Sequence, residues 1–467
     1  MTARASGEAN RLRIAVVGAG IAGLSAGREL LRRRPDAELV VYEAAPRVGG
    51  LVATDRPRAG LVVERGPDSV ATQKPAALEV ARELGLGDEL VSGGVAPRRA
   101  FVVHGGKLVP MPRSLFGASG GSHELLLSPL LTAKGKIRLA LEPFVPRRAT
   151  PEGETVADFV GRRFGSELVE RALDPVLRGI YGAPASELGA AEILPHLVAF
   201  ERAHGSVARG MTRTSPPKGA ERLPPAVSFK GGMDALPARL AAELGDRVRT
   251  STRIARVGRR DGAFRIETET GEVSDFDRLV LAVPVTEASR LLLDLSPEAA
   301  RELCSVRTAD VETVTFVFPR DAIPRPLSGT GFVVARGERR VLTAMTWSSR
   351  KWHGRAPLDV ELLRCFFEAH GMDDRAALAA VRADLADLLD IQGDPLETFL
   401  DRRAAVLPVY EVGHLARVAR VRGLLAGFSG LALAGNAYDG IGIPDCLASG
   451  RKAADHVLSD SVLPLSA

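Results

Sequence analysis

The run Ile14-Ala15-Val16-Val17-Gly18-Ala19-Gly20-Ile21-Ala22-Gly23-Leu24 constrains this chain more than any other stretch. A β-branched strand ends in glycines spaced G-x-G-x-x-G, and Leu24, Gly27 and Leu31 then recur at helical spacing. Gly18 permits a tight turn, Gly20 lets backbone approach a pyrophosphate, and Gly23 lets helix and strand pack closely. The helix N-terminus then offers free N–H groups and the positive end of its dipole to phosphates. Three glycines alone also mark ordinary turns. Here a second buried strand, Leu39 to Tyr42, ends at Glu43, where a carboxylate can accept bonds from ribose hydroxyls. The spacing predicts one βαβ unit of a doubly wound α/β fold over residues 13–43, built for a dinucleotide.

The rest of the chain sets limits. Its 467 residues exceed one ordinary core and predict two or three domains. The net charge of +5 comes from scattered rather than blocked basic residues, which argues against nucleic acid and weakly for anionic substrates or lipid surfaces. Cys304, Cys365 and Cys446 lie far apart, without metal-ligand spacing, and fit a reducing compartment. No metal site is expected. The first residues show no apolar signal segment, and no apolar run reaches the roughly 18 residues that span a bilayer. The expectation is a cytoplasmic protein, touching at most the inner face of a membrane.

The texture changes along the chain. Residues 11–94 hold the first nucleotide-binding segment. Residues 95–225 alternate helical candidates (124–142, 154–171) with Gly-, Pro- and Ser-rich loops and read as a mostly helical insert. Residues 226–288 return to strands, residues 289–409 read as an inserted α/β domain, and residues 410–460 give strand, glycine turn and helix. The nucleotide domain is therefore expected to be discontinuous. In the last segment Gly440 and Gly442 would let a flat group lie on bare backbone, and Pro444 and Asp445 suit a helix start.

Arg47-Val48-Gly49-Gly50, four residues after Glu43, resembles the R-x-G-G extension of two-dinucleotide-binding-domain flavoproteins and implies FAD rather than NAD. Further segments follow in order: VERGPDS (63–69), LRGIYG (177–182), FKGGMDALP (229–237), TGFVV (330–334), TWSSRKW (346–352), LPVYEVGHLARV (407–418) and LALAGNAYDGIGIPDC (431–446). Together they resemble the protoporphyrinogen/coproporphyrinogen oxidase family across almost the whole chain, and RGPDS and GIGIPDC look most like the bacterial coproporphyrinogen III oxidases.

That resemblance implies non-covalent FAD, O2 as oxidant, hydrogen peroxide as by-product and the six-electron aromatisation of a porphyrinogen in haem biosynthesis. Residues 289–409 become the substrate domain and residues 95–225 a domain that contacts membranes in many members. The implied FAD contacts are Gly18, Ala19, Gly20, Ile21, Ala22, Gly23, Glu43, Ala44, Arg47, Leu51, Gly66, Pro67, Asp68, Ser69, Ile254, Asn436, Ile441, Gly442 and Ile443. Implied substrate contacts are Arg98 and Arg99 for propionates and Val333, Val334 and Trp352 as apolar walls; Lys230 and Lys351 flank family segments and join the propionate candidates.

Departures bear on the substrate. Ala100 stands where many protoporphyrinogen oxidases carry an arginine, and Arg403 where related chains often have an aromatic. No general base is nominated: His204 and His414 read as structural. LLLSPLL (125–131), followed by Lys134, Lys136 and Arg138, is the candidate membrane surface. Protoporphyrinogen IX oxidation, an amine or carotenoid oxidoreductase, and a flavin-bound interaction protein without turnover remain as alternatives. A transient contact with a haem-pathway enzyme is the remaining partner expectation.

Overall fold

The computed structural model describes residues 11–93, 99–112, 122–148, 153–213 and 224–459. Strand β1 (Arg13–Val17) lies at the centre of a five-stranded, all-parallel sheet. Its neighbours are β2 (Glu38–Tyr42) and Arg278–Leu281, with Val248–Arg249 and Leu431–Leu433 at the edges. These strands come from segments far apart in the chain, so the domain is discontinuous. Both faces are covered, which is why its strands read as apolar runs rather than alternations. Helix α1 (Ile21–Arg33) and the helices Ala235–Leu244 and Ile443–Ser459 cover one face. A Cβ on Gly450 would fall 2.2 Å from the Ala22 carbonyl oxygen, so the last helix packs backbone to backbone on α1. Fully buried Leu24 and Leu447 each contribute roughly 1.5–3 kcal/mol to this seam.

A seven-stranded sheet forms the second body, in the order Glu397–Pro408, Thr308–Pro319, Val360–Phe367, Leu342–Trp347, Gly331–Val334, Ala100–His104, Lys107–Pro110. Strand alternation gives it two distinct faces. Val314, Phe316, Phe318, Leu363, Cys365 and Phe367 point under the helix Asp374–Leu389. The cross-strand register puts Thr315, Arg364, Thr346, Ala344 and Val333 on the other face.

Two boundaries differ from the sequence reading. Residues 100–110, expected within the helical insert, are strands of this sheet, because Ala100–His104 pairs in parallel with Gly331–Val334, a contact no local pattern announces. Conversely, the helices Val285–Leu292 and Pro297–Cys304 pack on the parallel sheet, so its domain runs past residue 288 to about Val306.

The segment between them is mostly helical and is held by a buried ion network. Fully buried Arg163 pairs with Glu142 and Glu201, and Arg162 with Glu154 and Glu201. Among the described residues no helix is long and apolar enough to cross a membrane.

Candidate functional site

The site begins at the turn between β1 and α1. Gly18 has φ +102° and donates to the Tyr42 carbonyl at 2.7 Å; a Cβ there would lie 2.4 Å from the Ala282 oxygen. A Cβ on Gly23 would lie 1.8 Å from the Gly18 oxygen. These two glycines are required by the fold itself. Gly20 differs: nothing lies within 4 Å of its missing Cβ, and α1 starts there without a side-chain cap. Glu43 accepts from the Ala19 and Ala45 N–H groups, both at 2.8 Å, which fixes its carboxylate beside the turn.

The R-x-G-G segment is tied in behind. Gly49 donates to the Ala19 carbonyl at 2.8 Å and forms a bridge with Gly20. Arg47 spends its guanidinium on the Val48, Gly50 and Val52 carbonyls, so it shapes this turn. Ala44 is exposed beside Glu43.

The C-terminal turn is braced from beneath. The Tyr410 hydroxyl donates to the Asn436 carbonyl at 2.7 Å and accepts from the Gly440 N–H at 2.9 Å. His414 Nε2 donates to the Ala437 carbonyl at 2.8 Å, and its ring lies 4.2 Å from that of Tyr410. Burial holds His414 below the ordinary histidine range, although the Ala437 bond acts the other way. The Asn436 amide donates to the Val406 carbonyl at 3.2 Å. Gly440 and Gly442 are bare for a different reason than expected. A Cβ on either would meet the Asp445 carboxyl group, which accepts from the Gly442 N–H at 3.2 Å. The glycine of this turn that opens onto space is Gly435, with φ +135° and no atom within 4 Å of its Cβ position. Ile441 is half-buried, and buried Ile443 starts the last helix. Ile254 is buried, and its carbonyl accepts from Arg290 Nη2 at 2.6 Å.

Against the R-x-G-G segment lies the loop Gly66–Ser69. A Cβ on Gly66 would fall 1.9 Å from the Leu51 oxygen, so this loop presses on the R-x-G-G segment. Asp68 accepts from Lys351 Nζ at 2.8 Å, Trp352 Nε1 at 3.2 Å and Ser69 Oγ at 2.9 Å. Burial alone would raise the Asp68 pKa; the Lys351 ammonium overcomes it and holds the carboxyl well below the usual range. Behind the loop, buried Arg355 pairs with Glu64 at 3.1 Å and donates to Ser228 Oγ at 2.6 Å. Arg364 donates to the Gly66 carbonyl. Arg403 pairs with Asp401 and donates to the Leu51 carbonyl at 3.2 Å. Arg355 and Arg364 escaped the sequence reading; the available signal was a lone arginine inside the apolar run VELLRCFF.

The substrate candidates do not converge. Arg98 lies outside the described residues. Arg99 is exposed, its carbonyl accepting from the Thr330 N–H at 2.8 Å, and Lys230 is exposed, its N–H donating to the Glu89 carbonyl at 2.8 Å. Lys351 and Trp352 are committed to Asp68. Val333 faces the helical insert, whereas Val334 points to the opposite face under the helix Asp374–Leu389, so the two cannot wall one pocket. His204 lies at a helix end with Arg213 Nη1 3.3 Å from its Nδ1, and no described group of three or more His, Cys, Asp or Glu could hold a metal.

Bare Gly20 and Gly435, uncapped helix N–H groups and a pinned Glu43 fit a flavin dinucleotide laid along the carboxyl ends of the parallel strands. This is the donor set of a flavoprotein of the two-dinucleotide-binding-domain type. The chain belongs to the family of flavin containing amine oxidoreductases, whose model matches residues 21–458, and it is an FAD-dependent oxidoreductase. It is 29% identical over 464 residues to the coproporphyrinogen III oxidase of Bacillus subtilis (strain 168), covering 96% of this chain and 98% of that protein. It is 32% identical over 492 residues to the coproporphyrinogen III oxidase of Propionibacterium freudenreichii, covering 97% and 92%. A crystal structure from Exiguobacterium sp. 255-15, described as a candidate protoporphyrinogen oxidase, superposes with a TM-score of 0.84 at 32% identity, covering 97% of this chain and all of that one.

Proposed function

We propose that this protein oxidises coproporphyrinogen III to coproporphyrin III in haem biosynthesis, using non-covalent FAD and O2, with protoporphyrinogen IX as the competing substrate. The observation that carries the reading is the near-full-length similarity to coproporphyrinogen III oxidases, and one face of the seven-stranded sheet is consistent with it. Ala100, Gly331, Val333 and Ala344 share one face of adjacent strands, and the same face runs to buried Arg364 at the flavin-side loop. Its Ala100–Val333 part packs against the helical insert, and its other end, at Arg364, is the one that meets the Gly66–Ser69 loop. The relatives supply the substrate class.

Bound FAD supplies the two-electron acceptor that O2 regenerates, so one porphyrinogen loses six hydrogens while three O2 become three hydrogen peroxide. The chain's own task is placement. The Tyr410–His414 brace holds the Asn436–Gly440 turn, and Lys351, Trp352 and Arg364 hold the Gly66–Ser69 loop, which fixes the reacting carbon's approach. Of the six hydrogens, three leave the bridging carbons as hydride equivalents, and one further bridging-carbon proton and two of the four pyrrole N–H protons leave to solvent.

Side-by-side oxidation of both porphyrinogens under air tests the reading. The expected outcome is a higher kcat/KM for coproporphyrinogen III with three O2 consumed per porphyrin; equal or better turnover of protoporphyrinogen IX removes the substrate assignment and leaves the flavin chemistry standing.

A specific observation also favours peripheral membrane contact. Most of the 125–131 run is covered and Arg138 turns inward onto the Arg162 and Arg163 carbonyls, so the surface differs from the sequence expectation. The exposed apolar set is Leu127 and Phe144, each 77% exposed, with Ile137 and Leu141, beside exposed Lys134. Such a set suits the interface of an anionic bilayer, and flotation with anionic liposomes at low salt tests it; protein left in the bottom fraction discards it. Hand-over of product to a haem-pathway enzyme is the partner contact implied by this reading.

A further inference from the structure

Five ionisable side chains gather behind the Gly66–Ser69 loop: Glu64, Asp68, Lys351, Arg355 and Arg364. Two cations are paired, Lys351 with Asp68 at 2.8 Å and Arg355 with Glu64 at 3.1 Å. Arg364 is the odd one. It is 4% exposed, and no described carboxylate lies in contact with it. Its Nη1 donates to the Gly66 carbonyl, its Nε is buried without an acceptor, and its guanidinium lies 4.7 Å from the Phe366 ring centroid. The next acid, Asp401, is already shared by Arg403 at 2.9 Å and Arg65 at 3.4 Å. With three cations against two acids, the cluster carries one positive charge in excess, and the pairing locates it at Arg364.

An arginine cannot shed its proton to escape this setting. A buried charge without a counter-ion is costly, and such a cost persists where something else answers the charge. Position says what that is. The Gly66 backbone that Arg364 grips presses on Leu51, and Leu51 continues the turn whose Gly49 bridges Gly20 at the start of α1. Arg364 therefore stands at the end of the same backbone floor that carries the bare glycine of the dinucleotide turn.

We propose that Arg364 is the counter-charge for the negative charge that FAD takes on when reduced, and that it thereby raises the electron affinity of FAD in this protein. The inference rests on the FAD assignment and not on which porphyrinogen is oxidised. A fixed cation in a site of low dielectric acts on such a charge far more strongly than it would in water. Lys351 is neutralised by Asp68 and cannot serve this purpose. The two paired acids set the size of the effect, because each cancels one cation of the cluster.

The test reads the holoprotein without any porphyrinogen, through the midpoint potential of bound FAD and its affinity for sulfite, which adds to flavins that stabilise negative charge. In Arg364→Gln the reduction equilibrium falls at least tenfold, about 30 mV for a two-electron couple, and sulfite binds at least tenfold more weakly. Arg364→Lys keeps most of both. Asp68→Asn removes a negative charge from the same cluster and moves both quantities the other way, which decides the matter even if Arg364→Gln retains no FAD. A potential within about 10 mV of the parent in Arg364→Gln, or a shift of Asp68→Asn in the same direction as Arg364→Gln, overturns the proposal. So does an unchanged potential with a raised KM for porphyrinogen, which would assign Arg364 to a substrate carboxylate instead.

Discussion

The dinucleotide turn and the facing side of the seven-stranded sheet make binding surfaces by opposite means. At the turn the working atoms are backbone: a bare Gly20, uncapped N–H groups of α1, and carbonyls organised by Arg47. At the sheet they are side-chain charges drawn from distant positions, with Lys351 reaching Asp68 across 283 residues and Arg364 reaching Gly66 across 298. A backbone site is specified by what a short segment leaves out, namely side chains. A charge site is specified by which strands meet. The first tolerates almost no substitution, whereas the second can be retuned one charge at a time.

The sharpest test of that contrast lies within the turn. Gly23→Val puts side-chain atoms where the Gly18 oxygen already stands, so β1 and α1 cannot keep their spacing; the expected cost is about 4–5 kcal/mol or more, and the variant should not accumulate as folded protein. The Cβ added by Gly20→Val meets no protein atom within 4 Å. This variant should fold with nearly the unfolding midpoint of the parent's apo-protein and yet purify without flavin colour. Thermal unfolding and the flavin absorbance together separate the two. A yellow Gly20→Val protein would mean that the bare space in front of Gly20 is not the phosphate seat.

The second pair of variants asks whether the sheet has the two faces its register assigns. Val334→Trp overpacks the core under the helix Asp374–Leu389 and should cost about 1–3 kcal/mol of stability. Val333→Trp overpacks the core on the insert side and should cost a similar amount of stability, while also raising KM for porphyrinogen at least about tenfold, the loss of roughly 1.4 kcal/mol of binding. Equal KM values for the two would erase the functional distinction between the two faces.

What was legible in the sequence follows the same division. Ile14–Val17, the three glycines, Leu39–Tyr42 and Glu43 lie within thirty residues, and each acts through the local geometry its residue type imposes; fold class and a dinucleotide site followed from them, whereas FAD followed from the resemblance of Arg47-Val48-Gly49-Gly50. Gly440 and Gly442 were read as flavin-facing, but their bareness serves Asp445, three residues or five away in sequence, and Gly435 is the one that opens onto space. Both explanations predict glycine, so composition could not choose between them. Arg364 looked like an interruption in an apolar strand, since nothing local says which carbonyl it will meet. Val333 and Val334 were paired as walls although adjacent strand residues must point to opposite faces. The strands at 100–110 were assigned to the helical insert because their partner, Gly331–Val334, lies more than two hundred residues on.

The smallest expected effect concerns acid. The C-terminal turn depends on His414, which burial holds below the ordinary histidine pKa of 6.5. The unfolded chain therefore takes up this proton at a higher pH than the folded one. Stability from neutral His414 is fully present above the unfolded value and is lost as pH falls through it towards the folded value. His414→Gln can still donate to the Ala437 carbonyl but has nothing to titrate. Between about pH 7.5 and 5.5 the unfolding temperature of the apo-protein should therefore fall further in the parent than in His414→Gln, by a margin that fits one group. The Lys351–Asp68 pair acts in another window, since the depressed Asp68 pKa confers stability that is lost only below the usual carboxylate range. Parallel curves for parent and variant would show that the brace beneath the Asn436–Gly440 turn does not sense pH, and would leave the backbone turn and the charge cluster as the two levers on flavin retention.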